Sequence, residues 1–130
     1  MVQHPEHMLL IAMTESVFKN DLLISLRQLN CRFLFAGTGA GATDLCRQHP
    51  EIELVIVDID LPVINGIETI KIIRQMDANI PVILLATYIM LETMRLAQNI
   101  GCNEILQTPI DPATLSAIVK KYLSNPYSFK

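Results

Sequence analysis

Short apolar runs alternate with amphipathic stretches along the chain, and this alternation is the strongest structural signal in the sequence. Runs with few internal polar positions are typical of parallel strands buried on both faces, because such strands present almost no side chains to solvent. The runs predict strands at residues 8–13, 32–36, 54–57, 82–86 and 105–106.

Each predicted strand is followed by a stretch in which apolar residues recur at helical spacing. Thr14 or Ser16 can cap the first helix, Asp111 or Pro112 starts the last, and Gly101 ends the fourth. Two of the helices are predicted over residues 43–49 and 90–100. The others have inward faces made of Phe18, Leu22, Leu26 and Leu29; of Ile67, Ile70 and Ile73; and of Leu115, Ile118, Val119 and Tyr122.

Five strand–helix units joined by right-handed crossovers predict an α/β protein, with a single doubly wound five-stranded parallel sheet covered by helices on both faces. We expect one domain over residues 8–124, between flexible segments at residues 1–7 and 125–130. Ligands of such sheets bind beyond the carboxyl ends of the strands. The residues at those ends are Met13, Thr14, Glu15, Gly37, Asp58, Asp60, Ala86, Thr87, Thr108 and Pro109.

Composition narrows the class of protein. The 130 residues correspond to one domain, at roughly 150 residues per domain, so we expect no separate effector domain in them and an output delivered by contact. A net charge of −3 without a basic run excludes an electrostatic footprint for nucleic acid or an anionic membrane. The N-terminal residues do not follow a signal-peptide pattern, and no apolar run approaches the ~18 residues of a membrane span. These features predict a cytoplasmic protein with a protein partner.

Other chemistry has little support in the sequence. Cys31, Cys46 and Cys102 are far apart and are predicted to be buried free thiols. No serine, histidine and aspartate constellation falls at the strand ends, so we expect no enzyme. Residues 37–42 fit the G-x-G-x-x-A pattern of a dinucleotide-binding turn, with Asp58 about 20 residues further on. The short helix after this turn favours a flexible loop, and nucleotide or flavin binding is kept as a distant alternative.

Several segments carry a resemblance to a known family. Residues 57–66 read Val-Asp-Ile-Asp-Leu-Pro-Val-Ile-Asn-Gly, residues 80–83 read Ile-Pro-Val-Ile, and residues 101–102 and 108–112 read Gly-Cys and Thr-Pro-Ile-Asp-Pro. Over residues 8–124 the chain resembles a receiver domain of two-component response regulators, most closely those attached to hybrid sensor kinases. The resemblance implies a flavodoxin-like (βα)5 fold with strand order 2-1-3-4-5, and a tight turn at residues 108–109 with a cis peptide bond.

The resemblance also implies a phosphorylation site of which one member is retained. Asp58 matches the aspartate that accepts a phosphoryl group in the family. The acidic pair that binds Mg²⁺ falls on Met13 and Thr14, the hydroxyl position falls on Ala86, and the lysine position falls on Thr108. Because Mg²⁺ prefers carboxylate and water oxygens, phosphorylation at Asp58 is expected to be impaired or absent, as in a pseudo-receiver.

An alternative interpretation keeps the phosphorylation chemistry. Glu15 and Asp60 lie one and two residues beyond the family's positions and could, with Asp58, form a substitute Mg²⁺ site. Thr87 could take the place of the hydroxyl that is missing at Ala86, while Thr14 and Thr108 supply further hydroxyl groups. The chain would then be a fully phosphorylatable receiver.

The fourth helix has an apolar arc that is wider than one buried stripe requires. The family contacts its partners through helix four, strand five and helix five, so Leu91, Met94 and Ile105 are predicted to belong to a protein-binding face. Ile105 also stands where the family usually has an aromatic residue. The implied partners are a histidine kinase, a phosphotransfer or output protein, or a second receiver, including a homodimer through this face. In the alternative interpretation, Leu91 and Met94 pack on the neighbouring helix.

Overall fold

A computed structural model of the protein describes residues 7–123. Its strands form one parallel sheet in the order β2-β1-β3-β4-β5, so the predicted fold class and strand order are confirmed. The strands are β1 His7–Ala12, β2 Cys31–Ala36, β3 Ile52–Asp58, β4 Val82–Ala86 and β5 Glu104–Gln107. The predicted flexible termini lie outside the described residues, apart from His7, which is the first residue of β1.

A helix follows each strand, and local capping explains where most of these helices begin. The helices are α1 Val17–Leu26, α2 Gly39–Gln48, α3 Gly66–Met76, α4 Leu91–Asn99 and α5 Pro112–Tyr122. Side-chain oxygens of Ser16, Thr38, Asn65 and Asp111 accept a backbone N–H in the first turns of α1, α2, α3 and α5. The residue that precedes α4, Met90, makes no such bond.

The sheet is buried on both faces, as the apolar runs predict. Successive residues of a strand point to opposite faces, so Leu10 packs in the core under α2 and α3, and Leu9 packs in the core under α1 and α5. Ile67, Ile70 and Ile73 of α3 are buried, as predicted. In α5, Leu115 and Val119 are buried, whereas Ile118 and Tyr122 are partly exposed.

The glycine-rich segment after β2 is not the loop that the sequence predicts. Helix α2 begins at Gly39 rather than at residue 43, and the Thr38 side chain accepts the Gly41 N–H at 2.9 Å. Gly39 is buried, and a Cβ atom there would lie 2.3 Å from both the Ile64 carbonyl oxygen and the Thr69 Oγ1 atom. Close packing of α2 against α3 therefore accounts for this glycine without a bound nucleotide.

The loop from β3 to α3 contains a strained residue. Val63 has φ 74°, and no other non-glycine residue among residues 7–123 has a positive φ. This backbone conformation costs a side chain about 1–2 kcal/mol, whereas asparagine adopts it readily. The Val63 side chain is 77% exposed, so its replacement forfeits little packing.

We expect Val63→Asn to raise the free energy of unfolding by about 1 kcal/mol, because it removes most of this strain. Urea denaturation of the two proteins measures the difference. Val63→Ala is the matched control, since alanine retains the Cβ atom that causes the strain and is expected to change stability little. Equal stability of Val63→Asn and the wild type would contradict the assignment of strain.

Candidate functional site

Asp58 is the last residue of β3, between β1 and β4 at the carboxyl edge of the sheet. Its side chain is partly buried, and its Oδ1 atom accepts the backbone N–H of Asp60 at 2.9 Å. The loop from β3 to α3 brings Gly66 close to Asp58, since a Cβ atom on Gly66 would lie 2.6 Å from the Asp58 carbonyl oxygen. The carboxylate is therefore held at the position that the sequence predicts.

The surroundings of Asp58 disfavour a negative charge. Burial raises the pKa of the Asp58 carboxyl, the N–H of Asp60 lowers it, and the nearby Asp60 carboxylate raises it; the balance is a raised pKa. Among residues 7–123, no cationic side chain contributes to this shift.

The neighbouring strand ends are apolar. Met13 follows β1, is 3% exposed, and packs in the core under α1 and α5. Ala86 ends β4 and is 2% exposed, and its carbonyl oxygen accepts the Thr108 N–H at 2.9 Å. Thr14 and Thr87 are exposed and carry the hydroxyl groups nearest in sequence to these positions. The peptide bond between Thr108 and Pro109 is cis, as expected.

Glu15 forms an ion pair with Lys19, a residue that was not predicted to lie near the site. The Glu15 side chain is 83% exposed, and its Oε2 atom accepts a hydrogen bond from the Lys19 Nζ atom at 2.6 Å. The Lys19 side chain is only 8% exposed, and its ammonium lies 4.7 Å from the centroid of the Phe35 ring. The spacing of four residues between Glu15 and Lys19 is the signal that could have predicted this pair.

The three carboxylates of the alternative Mg²⁺ site are not brought together. Asp60 is exposed, Glu15 is paired with Lys19, and no three His, Cys, Asp or Glu side chains of residues 7–123 form a group that could hold a metal ion. The side chains at the family's metal positions thus do not fit the Mg²⁺ that the resemblance implies, because Met13 offers no oxygen ligand and Thr14 offers no carboxylate.

Exposed apolar side chains cover the start of α4 and the loop before it. We define the α4 surface as five residues that are between 39% and 80% exposed, namely Tyr88, Met90, Leu91, Met94 and Leu96. Leu91 and Met94 are 64% and 39% exposed, so neither is buried against a neighbouring helix. Ile105 is partly buried and packs against the core under α2 and α3.

The three cysteines are free thiols, as predicted, but each is only partly buried. Burial raises the pKa of the Cys46 and Cys102 thiols to about 11, which leaves little reactive thiolate at neutral pH. Cys46 and Cys102 pack against the core under α2 and α3, Cys31 packs against the core under α1 and α5, and we assign them no chemistry.

A doubly wound parallel sheet with strand order β2-β1-β3-β4-β5 and an aspartate at the end of its third strand is the arrangement that the resemblance to receiver domains implies. A family model of the response regulator receiver domain matches residues 9–120, and the chain belongs to this family. No helix among residues 7–123 has the length and apolar character needed to cross a membrane.

Individual relatives agree with this assignment. The chain is 30% identical over 106 residues to hybrid signal transduction histidine kinase M of Dictyostelium discoideum, covering 77% of the chain and 4% of that protein. It is 32% identical over 89 residues to sporulation initiation phosphotransferase F of Bacillus subtilis, covering 68% and 70%. It spans less than half the length of several other curated relatives that it matches.

Solved structures show the same fold. The chemotaxis protein CheY4 of Vibrio cholerae superposes with a TM-score of 0.82, covering 92% of this chain and 100% of that one at 20% identity. At this identity the likeness establishes the fold of the chain and not its chemistry.

The raised pKa of Asp58 predicts the pH dependence of a substitution. Because the folded protein binds this proton more tightly than the unfolded chain, ionised Asp58 lowers the free energy of unfolding at neutral pH, and this penalty disappears below about pH 4. Asp58→Asn retains an oxygen for the Asp60 N–H. We expect it to be more stable than the wild type at neutral pH, by a margin that shrinks as the pH falls.

Urea denaturation across this pH range measures the margin. Asp21→Asn, at an exposed aspartate of α1, is the control for the loss of one carboxylate charge. If Asp58→Asn were less stable than the wild type at neutral pH, the charged carboxylate would have to be favoured by its surroundings.

Proposed function

We propose that this receiver domain acts as a protein-interaction switch in two-component signalling, with Mg²⁺-dependent phosphorylation at Asp58 impaired or absent. The observation that carries the proposal is the partly buried Asp58 carboxylate, whose pKa is raised and which has no cationic partner among the described residues. The buried apolar side chains of Met13 and Ala86 at the adjoining strand ends support it.

The size of the missing electrostatic contribution explains why the loss is severe. Phosphoryl transfer depends on positive charge placed around the transferred oxygens. One charge pair at 4 Å contributes about 4 kcal/mol at an effective dielectric constant near 20, which corresponds to about three orders of magnitude in rate. The residues at the family's metal and lysine positions, including Thr108, carry no charge.

Amide NMR with Mg²⁺ and beryllofluoride, which mimics the aspartyl phosphate, tests the phosphorylation chemistry. We expect no saturable shifts around residues 58–60, 86–88 and 108 of the wild type at millimolar Mg²⁺. Saturable shifts that reach α4 and are lost in Asp58→Ala would contradict the proposal. Their additional loss in Glu15→Gln would identify the substitute metal site and a phosphorylatable receiver.

A gain-of-function variant gives the matched positive control. Thr14→Asp, Ala86→Thr and Thr108→Lys together return a metal ligand, a hydroxyl group and a cation to the edge, and Thr14 is exposed enough to accept a charge. We expect this triple variant to bind beryllofluoride with Mg²⁺, and to lose the binding when Asp58→Ala is added. Circular dichroism verifies that each variant is folded.

The partner surface that we propose is the α4 surface. Apolar side chains as exposed as Leu91 and Tyr88, clustered on one helix and the loop before it, are typical of protein-binding sites. Two relatives are named a hybrid signal transduction histidine kinase and a sporulation initiation phosphotransferase, which supports a histidine kinase or a phosphotransfer protein as the partner. An output protein and a second receiver are the other partners that the resemblance implies. Of these interactions, the isolated chain can be tested for self-association through α4, β5 and α5.

We expect Leu91→Glu combined with Met94→Glu to weaken self-association at least tenfold, because burial of each apolar side chain contributes about 1.5–3 kcal/mol and a buried glutamate opposes it. Sedimentation velocity over a range of concentrations measures the effect. Ile24→Glu, at a 59% exposed isoleucine of α1, is the matched control and is expected to leave association unchanged. Equal association of the wild type and the double variant would exclude this surface.

A further inference from the structure

The guanidinium group of Arg74, near the end of α3, is bonded to three separate segments of the chain. It donates to the Gly101 carbonyl oxygen from Nε at 3.2 Å and from Nη2 at 2.7 Å. It also donates to the carbonyl oxygens of Ile80 at 2.6 Å and Asp77 at 3.2 Å, and to the Asn103 Oδ1 atom at 3.0 Å. The end of α3, the loop before β4 and the loop after α4 are thereby joined at one side chain.

Asn103 extends this junction into the sheet. Its Oδ1 atom accepts the Val82 N–H at 2.8 Å, and its own N–H donates to the Val82 carbonyl oxygen at 2.9 Å. The loop after α4 is thus bonded to the first residue of β4 through the backbone and to Arg74 through a side chain. A planar guanidinium with five N–H donors can serve these acceptors together, which a lysine ammonium cannot.

The two ends of α4 differ in how they are held. At its C-terminal end, Ala97 is buried, and Ile100 and Cys102 pack against the core under α2 and α3. Gly101 has the positive φ of 89° that is typical of the residue ending a helix. At its start, Met90 makes no side-chain cap and the first helical residue, Leu91, is 64% exposed. The buried apolar side chains of α4 and the hydrogen bonds that join it to the rest of the domain are therefore concentrated at its C-terminal end.

We propose that Arg74 fastens the end of α4 to α3 and to β4, so that α4 moves as a lever hinged at residues 100–103, with its first turns free to change position. Two residues of the α4 surface, Leu91 and Met94, lie on the free half of the lever. The proposal concerns the motion of α4 in the isolated domain, and it holds whether or not Asp58 is phosphorylated and whichever partner binds.

Amide hydrogen exchange of the wild type gives the first test. The N–H groups of Met94 and Ile100 both donate to helix carbonyl oxygens at 3.0 Å, and the Cys102 N–H donates to the Ala97 carbonyl oxygen at 3.0 Å. With similar hydrogen bonds at both ends, a difference in protection reports local opening. We expect protection factors of Ile100 and Cys102 to exceed that of Met94 on the order of tenfold or more. Equal protection at the two ends overturns the proposal.

Substitution of the arginine gives the second test. In Arg74→Gln, we expect the protection of Ile100 and Cys102 to fall toward that of Met94. Arg47→Gln is the matched control, because Arg47 forms an exposed ion pair with Asp44 that is remote from α4 in the chain. It is expected to leave the protection of α4 unchanged.

A merely stabilising role for Arg74 predicts a different pattern. If core amides such as those of Leu10 and Ile56 lose protection by the same factor as Ile100, the side chain stabilises the whole domain and the hinge is overturned. Should Arg74→Gln not fold, the same comparison is made with Arg74→Lys, which retains the charge but serves fewer acceptors. Unchanged protection of Ile100 in a folded Arg74 variant also overturns the proposal.

Discussion

Burial of one parallel sheet on both faces is the constraint on which the rest of this structure depends. Strands such as β1, β3 and β4 can lie in parallel between two layers only if every connection returns across a face of the sheet, which a helix does with its backbone hydrogen bonds satisfied. All strands then end at one edge. Asp58, Met13, Ala86 and Thr108 lie along this one edge because of the topology, although they are spread over the chain.

Because of the same constraint, the residues that determine the fold and the residues available for chemistry occupy different positions along each strand. Burial restricts the residues inside the strands to apolar types, whereas the strand ends of the same sheet carry both apolar and polar side chains. Met13 joins the core under α1 and α5, while Asp58 is a partly buried carboxylate. Asp58 keeps its position through the Asp60 N–H and through the close approach of Gly66, and neither interaction requires that it be phosphorylated.

Periodicity in the sequence predicts the strands and most helices, because burial imposes patterns with fixed spacing, and the resemblance supplies the strand order. Most of the missed features have no such pattern. The sequence does not show that Gly39 packs against Ile64, at a position where the sequence predicts a loop and the structure has the first turn of α2. The junction at Arg74 depends on side-chain geometry, which becomes visible only when elements distant along the chain are placed side by side. The pairing of Glu15 with Lys19 is different, because its spacing of four residues is a signal in the sequence itself.

If phosphorylation at Asp58 is impaired, as we propose, the receiver draws the free energy of switching from another source. A ligand shifts a conformational equilibrium only by the difference in its affinity for the two states. For a helix held at its end by Arg74 and uncapped at its start, the states would differ in the position of the first turns, where Leu91 and Met94 are exposed. A protein that buries these side chains in one position of α4 would therefore select that position by contact alone, and the phosphoryl group would not be needed.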